Sequence, residues 1–159
     1  MIILGVDPGP TTSGMIRFST DVQRVMASHP AIPNRELLEY LRDGQHFDLL
    51  ACECIESLYS GAGKETVRTI LFTGRIIEAA ETTGKPPRLL SPQAVRSAIC
   101  GTAKAKDSGV RSALVDHIGP KGTKLEPGPT FGVSDHAWRA LAVAYAVAME
   151  LGLTEQTRA

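Results

Sequence analysis

Residues 132–152, GVSDHAWRALAVAYAVAMELG, constrain the fold of this chain more than any other stretch. From Ala137 to Met149 only Arg139 interrupts an apolar run, so a helix here is hydrophobic on every side. Such a helix has to be surrounded by other elements. Its entrance differs in kind, because Asp135, His136 and Arg139 follow Ser134 closely. Ser134 is the expected N-cap, which places Asp135 and His136 in the first turn. The helix dipole favours an acid there by about 0.3–1 kcal/mol. That accounts for Asp135 and leaves His136 and Arg139 unexplained.

The cover for this helix has to come from the rest of the 159 residues, 43 % of which are apolar. That length suits one domain spanning 1–159. Ile2–Asp7 reads as a buried strand, and Asp7-Pro8-Gly9-Pro10 as a turn. Gly14–Phe18 and Arg24–Ser28 read as further strands. Asn34 is placed to cap a helix ending near Arg42, with Gly44 as its stop. Leu49–Ile55 has strand length. Lys64–Thr82 has helical spacing, and Gly74 within it costs about 1 kcal/mol against Ala, which suggests close packing there. Arg88–Leu90 is a strand, and Ser91-Pro92 opens a helix closed by Gly101. Another helix starts near Asp107 or Ser108 and ends at Gly119. The order predicts an α/β chain with a central, mixed, five-stranded sheet flanked by helices.

Charge is balanced overall, with 17 Lys+Arg against 17 Asp+Glu. It is uneven locally, since Lys85 to Lys124 holds eight basic and two acidic side chains. A run of that kind suits either solvent or a phosphate-bearing partner. No stretch is apolar for long enough to span a membrane. The opening residues do not resemble a signal peptide, so the cytoplasm is the expected compartment. Cys52, Cys54 and Cys100 are odd in number and apolar in setting, which suits reduced thiols and not a zinc site. Gly61-Ala62-Gly63-Lys64 lacks the remaining residues of a phosphate-binding loop.

Three places break the apolar pattern in a way that suggests chemistry. Asp7 ends a buried strand. Glu53 lies in the strand-like Leu50-Ala51-Cys52-Glu53-Cys54-Ile55, where an ionised side chain needs a cation or a charged partner. Asp135 and His136 enter the apolar helix. Together they could hold a hard divalent cation, Mg²⁺ or Mn²⁺. Two such ions would serve phosphodiester cleavage.

The same residues resemble the RuvC-type Holliday junction resolvases of the ribonuclease H-like superfamily. Ile3-Leu4-Gly5-Val6-Asp7-Pro8-Gly9 is similar to the family's first motif, Glu53 to the glutamate of the second, and Ala140–Ala144 to the end of the last. Small phage-type members look closer still, at Thr69, Gly74-Arg75, Lys106–Arg111, Glu126-Pro127-Gly128 and His136–Leu141. The resemblance implies a ribonuclease H-like fold and a homodimeric, Mg²⁺-dependent endonuclease acting on four-way or other branched DNA. It implies Asp7, Glu53, Asp135 and His136 as catalytic and metal-binding residues, with two ions per site. Tyr59, Lys64, Arg75, Lys104, Lys106, Arg111, Lys121 and Arg139 are the candidates for DNA contact. Arg139 stands where better-known members carry an aspartate, and either holds the scissile phosphate or pairs with Asp135.

The Ser57–Gly63 loop follows Glu53 and carries Tyr59, which suits stacking at a branch point. The Lys64–Thr82 helix is the expected dimer contact. On the sequence alone two other readings stay open. One is a branched-DNA-binding protein without cleavage. The other is a nucleotide- or sugar-binding protein of the actin-like fold.

Overall fold

The computed structural model describes residues 1–56 and 62–154. Among them the chain runs β1 (Ile2–Asp7), β2 (Thr12–Ser19), β3 (Arg24–Pro33), α1 (Asn34–Asp43), β4 (Leu49–Glu53), α2 (Lys64–Glu81), β5 (Arg88–Leu90), α3 (Pro92–Cys100), α4 (Asp107–Ile118) and α5 (Ala137–Glu150). The sheet order is β3-β2-β1-β4-β5. β1, β2 and β3 pair antiparallel, while β4 and β5 add in parallel on the other side of β1. The five strands are those expected, and the sheet is mixed.

Successive strand side chains point to opposite faces, so β1 must be apolar throughout if both faces are covered. Leu4 and Val6 pack with Met15, Leu50 and the inner faces of α1 and α2. Ile3 packs on the other side with Ile16, Ala51 and the helices α3, α4 and α5. α5 is buried from Ala140 to Ala148. Its fully buried Leu141, Val143 and Tyr145 each contribute roughly 1.5–3 kcal/mol by leaving water. Small residues let it seat closely on the sheet. A Cβ at Gly5 would fall 2.0 Å from the Ala140 carbonyl oxygen, and one at Gly14 would fall 2.5 Å from that of His136.

Several boundaries differ from the sequence expectation. β3 continues through Pro30 to Pro33. It is an edge strand, where a missing N–H costs little. β4 ends at Glu53, so that residue closes the strand and does not lie inside it. Asn34 does not cap α1; the N-cap position is Pro33. The amide of Asn34 bonds Ser13 and Gly9 across the sheet instead. Gly74 has open space beside it, with nothing within 4 Å of a built Cβ. Ser134 does not cap α5 with its hydroxyl, because Asp135 takes a left-handed φ of 43° and the helix begins at Ala137. The Ser91 cap and the Gly44 and Gly101 stops are as expected. All three cysteines are free thiols. No helix among the described residues is long and apolar enough to cross a membrane.

Candidate active site

β1 and β4 are neighbours with Val6 opposite Cys52, so Asp7 and Glu53 end their strands side by side. Alternation from Ile3 and Ala51 turns both carboxylates to the α5 face. Asp7 is only 6 % exposed. Burial raises its pKa, against the opposing pull of a hydrogen bond to His136 and the charge of Arg139. The Glu53 carboxyl is pushed up to about 7, first by burial and then by the charge of Asp7. Two neighbouring acids raised by burial, one of them also by the other's charge, call for a positive charge beside them.

The turn after Asp7 is fixed from outside the strand. The Gly9 N–H donates to Ser13 Oγ at 3.3 Å, Ser13 Oγ donates to Asn34 Oδ1 at 2.8 Å, and Asn34 Nδ2 donates to the Gly9 carbonyl at 3.0 Å. This ring of bonds holds the end of β1 against the start of α1.

The α5 entrance reaches the same point from the other side. Gly14 pairs with Asp7 across β1 and β2, and the His136 backbone lies on Gly14. His136 Nδ1 therefore comes to 3.1 Å from Asp7 Oδ2, while its side chain stays 66 % exposed. Asp135 is exposed and lines a cavity of about 420 Å³ together with Glu53, Arg96, Asp107, Trp138 and Arg139. A second cavity, about 360 Å³, is lined by Asp7, Glu53, Thr69, Thr73 and Arg139 among others. Arg139 does not pair with Asp135. Its Nη2 donates to Asp107 Oδ2 at 2.8 Å, and Arg96 Nη2 donates to Asp107 Oδ1 at 3.3 Å. The hydrogen bond from Arg139 holds the Asp107 carboxyl below its ordinary pKa.

Asp107 is the site residue that sequence reasoning missed. It opens α4, where the helix dipole already explains an acid. The available signal was its position as the first acid after a run of five basic residues.

The basic segment divides into two groups. Lys85 donates to the Gly44 and Phe47 carbonyls, and Arg88 pairs with Glu150 at 3.3 Å, so both are structural. Lys104, Lys106 and Lys121 are exposed and make no ion pair among the described residues. Arg111 lies 4.8 Å from the Trp138 ring and lines the larger cavity. Lys64 opens α2 and Arg75 is exposed on it. Tyr59 lies outside the described residues.

Mg²⁺ keeps several waters and takes one or two protein carboxylates plus substrate phosphate oxygens. Asp7 and Glu53, side by side and open to both cavities through Glu53, fit that requirement. Among the described residues, no three acid, His or Cys side chains gather closely enough to cage an ion unaided.

No protein-family model and no curated protein matches the sequence. Solved structures do match. The Thermus thermophilus RuvC structure superposes with a TM-score of 0.70 at 20 % identity, covering 98 % of this chain and 99 % of that one. T. thermophilus RuvC in complex with Holliday junction substrate gives 0.68 at 20 % identity, covering 98 % of each chain. At that identity the likeness is one of fold, and it extends over nearly all of both molecules: this chain has the RuvC architecture, a ribonuclease H-like mixed sheet of five strands with flanking helices.

Proposed function

We propose that the chain, as one nuclease domain over 1–159, is a metal-dependent, structure-selective endonuclease that cuts phosphodiester bonds in four-way or other branched DNA. The observation that carries this reading is the Asp7–Glu53 pair, set side by side at the strand ends with burial raising both pKa values. A bound Mg²⁺ or Mn²⁺ would supply Lewis-acid activation of water and charge neutralisation at the phosphate. Asp7 and Glu53 would hold it, with Asp135 and His136 beside them. Asp7 fixes His136 through Nδ1, which leaves Nε2 free to accept a proton at the solvent side. Lys104, Lys106, Arg111 and Lys121 would contact DNA phosphates, as would Lys64 and Arg75 of α2, and Tyr59 would stack at the branch point. The junction complex of the structural neighbour supports the choice of branched substrate.

Two cuts placed symmetrically across a junction need two sites at a fixed separation, which a two-fold homodimer provides. Val67 and Leu71 are 44 % and 67 % exposed on α2 and offer an apolar contact for it. The reading is tested with a labelled four-way junction in Mg²⁺, Mn²⁺ and EDTA. Nicking that requires metal, and that Asp7→Asn abolishes while junction binding persists, is the expected result. A gel shift without nicking in any metal would instead identify a branched-DNA-binding protein that does not cleave.

A further inference from the structure

Arg139 lies inside the site. It lines both cavities, as Glu53 does, and shares the smaller one with Asp7. A free arginine side chain on a helix samples many rotamers, but this one is tethered. Asp107 receives it at 2.8 Å and is itself held by Arg96 at 3.3 Å. The guanidinium carries five N–H donors, so the bond to Asp107 leaves others for phosphate oxygens.

A divalent cation at Asp7 and Glu53 would balance both of those charges. A second would need oxygen ligands of its own beside a fixed positive charge. Asp107 is engaged by two arginines, which leaves Asp135 as the one other carboxylate beside Glu53 in the lining of the larger cavity. We infer that Arg139, held by Asp107, takes the place of a second cation, so that the site works with one divalent ion per chain and a protein-borne charge on the scissile phosphate. The inference rests on the nuclease reading and departs from the two ions that the family resemblance implies. Asp107 is then a positioning residue.

The test counts ions. Mn²⁺ bound by the whole protein is titrated by electron paramagnetic resonance, in complex with a four-way junction built from nuclease-resistant phosphorothioate strands. One Mn²⁺ per chain is expected for the native protein and two for Arg139→Asp. Arg139→Ala should keep one ion and lower the cleavage rate at saturating junction by about 10²-fold. Asp107→Ala should lower kcat with the ion count unchanged, and Asp107→Glu should restore part of it. Two ions, or none, in the native protein overturns the inference even if Arg139→Asp fails to fold. So does a count that Arg139→Asp leaves at one. Failure of the nuclease reading would look different, as an absence of metal-dependent nicking by the native protein whether or not it binds the junction.

Discussion

Glu53 carries a cost that only a ligand removes. Its folded pKa of about 7 lies above the ordinary value near 4.5. A raised pKa means that its contribution to stability is complete below about 4.5 and is lost as pH rises through 7. Metal-free protein is therefore expected to melt lower at pH 8 than at pH 5, by an amount worth at most about 3 kcal/mol from this group. Glu53→Gln should flatten that dependence and raise the melting temperature in EDTA at pH 8, while abolishing cleavage; calorimetry at the two pH values checks it, and an unchanged melting temperature would refute it. His136 sits on Asp7 with most of its side chain in solvent, the position of a group that handles protons more than one that braces a core. His136→Ala is expected to reduce cleavage at saturating junction and to change the shape of the pH–rate profile; a loss of rate with the profile intact would mean a purely structural part.

At the level of elements, the seating of α5 decides whether the site exists. Its backbone rests on Gly5 and Gly14, and the second contact delivers His136 to Asp7. Gly14→Ala would push a methyl group to within 2.5 Å of the His136 carbonyl. It should cost stability by roughly 1–3 kcal/mol and lower cleavage further than that loss of folded protein explains. Denaturant midpoints measured beside single-turnover rates separate the two effects, and proportional losses would show that the contact only supports the fold. The strands and the acids that end them were legible in the sequence, because Asp7 and Glu53 interrupt apolar runs that only a doubly covered sheet requires. The entrance of α5 was misread. Ser134 has the right chemistry for a cap, but the left-handed turn at Asp135 belongs to the docking of His136 over Gly14, a contact with no local signature. Asp107 was hidden for a related reason: its bond to Arg139 joins residues 32 apart, and an acid opening a helix needs no such partner to be understood.

Across the whole molecule, the acids, the imidazole and the guanidinium come together at one end of the sheet, while α2 presents Val67 and Leu71 to solvent. If α2 is the contact between two copies, Leu71→Glu should convert a dimer into a monomer in light scattering at micromolar concentration. It should also uncouple the two nicks on a junction, leaving singly nicked product. A native monomer at that concentration would count decisively against paired cutting. The long span between Asp7 and His136, 129 positions apart, bears on synthesis as well as on chemistry. Asp7 and Glu53 emerge from the ribosome early, on strands whose α5 face is still bare. On the nuclease reading the site is complete only when α5 has been made and has docked, so a chain that stops before α5 would carry the two acids without His136 and Arg139 beside them.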